Sequence, residues 1–169
     1  MNIGKKCTVK QSGGNIQRSM SFGLLQGIII IQREHLKADL RVRDALLLDY
    51  PNEYFDAVVD NFCAFNNLLE IVSSMYEEMH TILKPDGKLL TAVFGKRTDG
   101  FGTGEKLEED TYSNLKCGTL KGRTKIHFFD VNSLSKLLDE CGFRNVKIDT
   151  IFYTDQGNKI ELLIAKAEK

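Results

Sequence analysis

Side chains able to do chemistry are sparse in this sequence, and their spacing excludes more reactions than it admits. The 169 residues hold three histidines. None stands in an HExxH helix or at the spacing of a Ser-His-Asp nucleophile. His127 is the best base candidate: it precedes Phe128 and Phe129 after a long polar stretch, and an imidazole titrating near pH ~6.5 suits proton transfer. Beside two aromatics it also reads as a structural histidine. His80 falls opposite much of an apolar stripe, towards solvent, and Tyr112 and Tyr153 are weaker candidates for contacting a ligand. Cys7, Cys63, Cys117 and Cys141 contain no CxxC pair, so no metal site or disulfide framework is expected. Two glycine runs, Gly13-Gly14-Asn15-Ile16-Gln17 and Gly100-Phe101-Gly102-Thr103-Gly104, are of the type that lets a backbone approach a ligand.

The elements that must position these groups belong to an ordinary globular chain, 42% hydrophobic and 27% charged, which excludes general disorder. Its 23 basic and 23 acidic residues cancel, so no nucleic acid or anionic membrane is expected as partner. The positive start (Met1 to Lys6) is not followed by an apolar segment of signal-peptide type, and no apolar run approaches the ~20 residues of a membrane span. Reduced thiols and a cytoplasmic location are expected.

From residue 39 the pattern is regular. Leu40 and Val42 suggest a strand ending near Asp44, and Tyr50 to Glu53 a turn. Phe55 to Val59 is a nearly continuous apolar run, as in a strand buried on both faces. Asn66 or Asn67 is placed to cap a helix whose stripe is Leu68, Ile71, Val72, Met75, Met79, Ile82 and Leu83. Lys84 falls in its last turn, and Pro85-Asp86-Gly87 stops it. Lys88 to Phe94 reads as another strand. Residues 96–126 are polar, with five glycines and no period; they read as a long excursion with a short strand near Thr124 to Phe129. Asp130 to Ser133 opens a helix with the stripe Leu134, Leu137 and Leu138, and Gly142 is its C-cap. Val146 to Tyr153 and Lys159 to Lys166 form a hairpin about a glycine turn. Alternating strands and helices imply an α/β fold with a mostly parallel sheet covered on both faces and a C-terminal antiparallel hairpin. Ligands of such sheets bind beyond the carboxyl ends of the strands. That rule selects Asp44 and Ala45, then Asp60, Asn61 and Phe62, then Phe94 and Gly95.

Four segments in this order, Arg43-Asp44-Ala45, Asn52 to Asp60, Ile82-Leu83-Lys84-Pro85-Asp86-Gly87-Lys88-Leu89-Leu90 and Cys141-Gly142-Phe143, resemble the class I S-adenosylmethionine-dependent methyltransferases. The resemblance covers residues 39–169 and implies a Rossmann-like three-layer sandwich. It also implies that Asp44 and Ala45 frame the adenine of S-adenosylmethionine, and that Asp60, Asn61 and Phe62 line the cofactor and the methyl acceptor. The alternative reading has Asp60 or Asn61 only capping within an ordinary strand-to-helix loop.

The front of the chain departs from that pattern. By alignment Gly13 falls in the cofactor's Gly-rich turn and Glu34 at the ribose-binding acid. Asn15 and Gln17 stand where glycines are expected, and Thr8 to Ser12 are too polar for a central strand. Only five residues separate Glu34 from Leu40, too few for a parallel crossover. The rival parse makes Ile16 to Lys37 one helix, with the first strands missing. Either way residues 1–38 form a degenerate arm and the N-terminal strands are incomplete. The exposed edge and apolar face this leaves would be covered by a homodimer or a swapped chain. Gly100 to Gly104 is followed by the acidic stretch Glu105 to Asp110, which would repel a cofactor carboxylate; a flexible flap over the acceptor site fits it better.

The expectation is therefore a small-molecule methyltransferase, whole or truncated, using S-adenosylmethionine with His127 as base. The alternative is a non-catalytic methyltransferase-like module for dimerisation or partner binding, and a third reading makes the first 35 residues non-native.

Overall fold

The computed structural model describes residues 44–169 together with Arg33. The expectations for Gly13, Glu34, the Ile16–Lys37 helix and the Leu40–Val42 strand lie outside the described residues.

The largely apolar segments Phe55 to Val59 and Leu89 to Phe94 lie in β1 (Phe55–Asn61) and β2 (Leu83–Phe94), which pair in parallel. Between them runs α1 (Leu69–Ile82), which buries Val72, Met75, Tyr76, Met79 and Ile82. The helix passes directly into β2. Lys84 to Gly87 form a bulge, five residues of β2 (Leu83 to Lys88) advancing against two of β1 (Phe55 to Ala57). Lys84 therefore lies beyond the helix, and the expected Pro-Asp-Gly turn survives as that bulge.

The C-terminal hairpin forms as expected. β6 (Arg144–Asp155) and β7 (Asn158–Glu168) meet at Gln156 and Gly157, both with positive φ, as a tight two-residue turn requires. Before it, α2 (Val131–Glu140) starts at a capping box between Asp130 and Ser133. It ends at Gly142 (φ 91°), where Phe143 N–H donates to Leu138 O at 3.0 Å.

The large sheet has the order β1-β2-β7-β6. Of its three pairings only β1-β2 is parallel, so the mostly parallel arrangement expected from strand–helix alternation does not hold among the described residues. Strands β6 and β7 enter as a hairpin, and a hairpin can only pair antiparallel. Both helices lie on one face: Cys141 Sγ, just past α2, is 3.6 Å from Ser73 Oγ of α1. The described residues thus supply two layers of the expected three. On the other face Val59 is 59% and Leu90 36% exposed.

The 96–126 excursion is more ordered than its composition predicts. It carries a second sheet, β3 (Glu105–Glu108), β4 (Thr111–Ser113) and β5 (Ile126–His127), in the order β3-β4-β5. Leu115, Leu120 and Ile126 are buried in the common core. Its glycines serve chain crossings. A Cβ on Gly104 would sit 2.0 Å from Ser113 O, and one on Gly118 2.1 Å from Asp99 O. Phe101 of the glycine run packs edge-on against Tyr112 and Phe128.

Candidate functional site

The carboxyl ends of β1 and β2 are tied together by one polar side chain. Asp60 on β1 lies opposite Thr91 on β2, and parallel neighbours in register point to the same face. Asp60 is buried. Its Oδ2 accepts from Thr91 Oγ1 at 2.8 Å and Tyr76 OH at 3.3 Å. Its Oδ1 accepts from the backbone N–H groups of Cys63 at 3.0 Å and Ala64 at 3.2 Å. Burial raises the Asp60 pKa, with these four donors pulling the other way. Burial and the neighbouring Asp60 charge push the Tyr76 phenol well up, so it stays protonated and donates.

The loop after β1 is wrapped around that carboxylate. Asn66 Nδ2 donates to Phe62 O at 3.0 Å and Cys63 O at 3.2 Å, and Asn67 Nδ2 to Ala64 O at 3.1 Å. Neither asparagine caps α1 as expected, since both bond back into the loop. The N-cap position is Leu68, without a side-chain cap. Glu108 of the small sheet supplies the acceptor instead, taking Leu69 N–H on Oε1 at 2.5 Å. The wrapping holds Phe62 at φ 59°. For a bulky side chain this conformation costs about 1–3 kcal/mol and persists where the surroundings enforce it, often at functional sites. The Phe62, Phe65 and Phe94 rings form a cluster with centroids 5.1–6.1 Å apart. The exposed Asn61 side chain makes no hydrogen bond among the described residues.

The segment before α2 is stitched across the same edge. Phe129 N–H donates to Phe94 O at 3.0 Å and His127 N–H to Phe65 O at 2.8 Å. His127 and the Asp60–Phe62 loop, far apart in sequence, therefore meet at one edge. His127 is 3% exposed and lies against Phe129, with ring centroids 4.5 Å apart and the planes tilted by 60°. Burial lowers its pKa; the Glu108 and Asp110 carboxylates partly oppose this, and Lys96 adds to it. Lys96 Nζ bridges Asp110 at 2.6 Å and Asp130 at 2.8 Å. Burial would depress the Lys96 ammonium, but those two bonds outweigh it and hold it above its usual value.

Asp44 and Ala45 lie in a tight turn in which Asp44 is bridged to Leu47. Asp44 is exposed, and its Oδ1 accepts Leu46 N–H at 3.0 Å. Ala45 is buried in the core that also holds Ala64 and Phe65. Of the residues selected from sequence, His127 is bonded through its backbone to Phe65, three residues past the 60–62 segment, while Asp44 precedes Ala45, which shares the core with Ala64 and Phe65. Sequence reading missed Tyr76, Thr91, Glu108 and Thr111. The available signal was Thr91 itself, a polar residue inside the apolar strand Leu89 to Phe94, which when buried must find a partner.

Comparison with known proteins bears on the fold. Residues 26–91 match the family model described as a methyltransferase domain. A SAM-dependent methyltransferase from Methanosarcina mazei superposes with a TM-score of 0.70 at 20% identity, covering 96% of this chain and 81% of that one. The 1,6-didemethyltoxoflavin-N1-methyltransferase of Burkholderia thailandensis, solved with its substrate and S-adenosylhomocysteine, gives 0.61 at 19% identity over 98% and 71%. Arginine-hydroxylase NDUFAF5, mitochondrial, of Rattus norvegicus is 28% identical over 116 residues, which are 63% of this chain and 29% of that protein. The chain thus spans under a third of that curated relative. Residues 26–91 of the chain thus match a methyltransferase domain, and its α/β fold is similar to that of the Rossmann-like SAM-dependent methyltransferases on which it superposes.

Proposed function

We propose that the chain binds S-adenosylmethionine at the carboxyl edge of β1 and β2 and methylates a small molecule there, with His127 taking the acceptor's proton. The described residues fit the adenosine end of the cofactor. Asp44 offers an exposed carboxylate next to the small, buried Ala45. Asn61 offers a free amide, and Phe62 a half-buried ring held in place by the Asp60 loop. The cofactor, when bound, supplies an electrophilic methyl group on a sulfonium. The protein's share is positioning and, for an oxygen or nitrogen acceptor, a base. The observation that carries the reading is the pinned 60–67 loop with Phe62 in the left-handed region, next to a buried histidine.

Isothermal titration with S-adenosylhomocysteine is the test. Micromolar binding is expected. Asp44→Ala and Asn61→Ala should each weaken it about tenfold, the effect of losing one hydrogen bond of ~1.4 kcal/mol. No heat, or variants that bind like the parent chain, would refute the reading. The rat relative's name refers to arginine, so an arginine-containing peptide belongs beside small amines and phenols in the acceptor panel; methylation of the peptide alone would overturn the small-molecule assignment.

A further inference from the structure

His127 belongs to a chain of three side chains whose proton positions follow from valence alone. Its Nδ1 is 2.6 Å from Thr111 Oγ1, and Thr111 Oγ1 is 2.9 Å from Glu108 Oε1. The same Glu108 oxygen accepts the Leu69 N–H in the first turn of α1. A carboxylate can only accept. The single Thr111 hydroxyl proton therefore points to Glu108. The Thr111 oxygen is left as the acceptor towards His127, so Nδ1 carries the imidazole proton and Nε2 is bare.

Among the described residues Nε2 has no hydrogen-bond partner, although the His127 side chain is 4% exposed. Buried polar atoms are paired in roughly 90% of cases or more, so an unmatched one needs an explanation. A missing external donor supplies it. The ring cannot turn away, because its backbone is bonded to Phe65 O, the Phe129 ring packs against it and Thr111 holds Nδ1.

We propose that Glu108, Thr111 and His127 form a relay that fixes the Nδ1–H tautomer and presents the Nε2 lone pair to an O–H or N–H group of the methyl acceptor. This rests on the methyltransferase reading above and adds the acceptor's class. The acceptor's O–H or N–H bond breaks, the proton moves to Nε2, and the electron pair stays on the acceptor atom. The resulting imidazolium is stabilised by Glu108, whose Oε1 is 3.9 Å from Nδ1. Thr111 and Glu108 act through His127 and are positioning residues. The lowered pKa keeps the imidazole unprotonated, and hence able to accept, at neutral pH.

Long-range proton–nitrogen NMR of the chain at neutral pH reads the tautomer directly. The expected spectrum has His127 with a protonated Nδ1 and a bare Nε2. Thr111→Val should lose that fixed tautomer and Thr111→Ser should restore it. A protonated Nε2 in the parent chain, or a Thr111→Val spectrum with the tautomer unchanged, overturns the proposal without needing any variant assay of activity. Diethylpyrocarbonate tests presentation, since it acylates a bare, reachable imidazole nitrogen and releases ethanol and carbon dioxide. Peptide mass spectrometry should find His127 modified as well as the half-buried His80; an unmodified His127 beside a modified His80 would show Nε2 closed to ligands and overturn it too. The fixed tautomer together with no S-adenosylhomocysteine binding would mean that the relay stands and the methyltransferase reading fails.

Discussion

Asp60→Ala is expected to cost about 4 kcal/mol of folding stability, a large part of the ~5–15 kcal/mol that holds a domain together. The substitution leaves the Cys63 and Ala64 N–H groups without their acceptor. Each such unmatched buried donor costs about 1–3 kcal/mol. The Tyr76 and Thr91 hydroxyls lose Oδ2 but keep their mutual contact at 2.8 Å, which limits the damage. Asp60→Asn should behave differently. Its amide oxygen still accepts the two N–H groups and its NH2 donates to the two hydroxyls, both of which can accept. Stability within about 1 kcal/mol of the parent is expected at neutral pH, because the lost charge-assisted bonds are offset by no longer burying a charge. Urea denaturation against pH separates the variants. Burial raises the folded-state Asp60 pKa, so the folded state binds that proton more tightly than the unfolded chain. This group's contribution is full below the ordinary Asp value near ~3.9 and is lost as pH rises through the folded value. Asp60→Asn should therefore gain on the parent chain as pH rises through that window. The opposite trend, or an alanine variant as stable as the asparagine one, would remove Asp60 from the centre of the site. The comparison also cancels Asp130, which is held below the usual range by its Lys96 bond and then by Ser133 N–H. Its contribution runs the other way, present above the ordinary Asp value and lost as pH falls.

What was legible in the sequence had a short-range physical signature. The centre of the α1 stripe (Val72, Met75, Met79 and Ile82), the Asp130 cap, the Gly142 stop and the terminal hairpin are each set by neighbours within a few residues and appear where the pattern puts them, while Leu68 and Leu83 fall outside the helix. The small sheet was not legible, because what holds it is long-range. Gly104 meets the Ser113 carbonyl, Gly118 meets that of Asp99, and Glu108 caps a helix 39 residues away. A polar, glycine-rich stretch reads as loose when its contacts lie elsewhere in the chain. The α1 cap failed for the same reason: Asn66 and Asn67 are good caps by type, but the carbonyls of their own loop were nearer. For the site, the strand-end rule found Asp60, Asn61 and Phe62, and with the resemblance it made Asp60 a cofactor contact. In the structure both Asp60 oxygens are bonded within the protein. The partners, Thr91 and Tyr76, were hidden inside apolar stretches, where a lone polar residue is easily passed over.

Gly95, chosen from sequence as a strand end where a ligand approaches, owes its lack of a side chain to Glu161. A Cβ there would fall 2.3 Å from Cγ, Cδ and Oε2 of Glu161. That carboxylate is 5% exposed and cannot swing aside. Its Oε2 accepts Arg97 N–H at 2.8 Å, and its Oε1 accepts Arg97 Nε at 2.9 Å and Nη2 at 2.7 Å. Gly95→Ala is expected to cost about 3 kcal/mol, from overpacking plus the bonds broken in relieving it. Glu161→Ala should cost about 2 kcal/mol, chiefly the orphaned Arg97 N–H, because the guanidinium is largely exposed and keeps its contact over the Phe152 ring at 4.4 Å. The double variant has no carboxylate to strike. It should cost about 2 kcal/mol rather than the sum of ~5, a coupling of about 3 kcal/mol in a double-mutant cycle by chemical denaturation. Additive losses would mean that the alanine methyl strains the backbone at Gly95 and not Glu161. The distinction bears on the site, since Gly95 pairs with Phe129 and so carries the segment that holds His127. If the clash is with Glu161, the double variant keeps the His127 tautomer signal that Gly95→Ala alone disturbs.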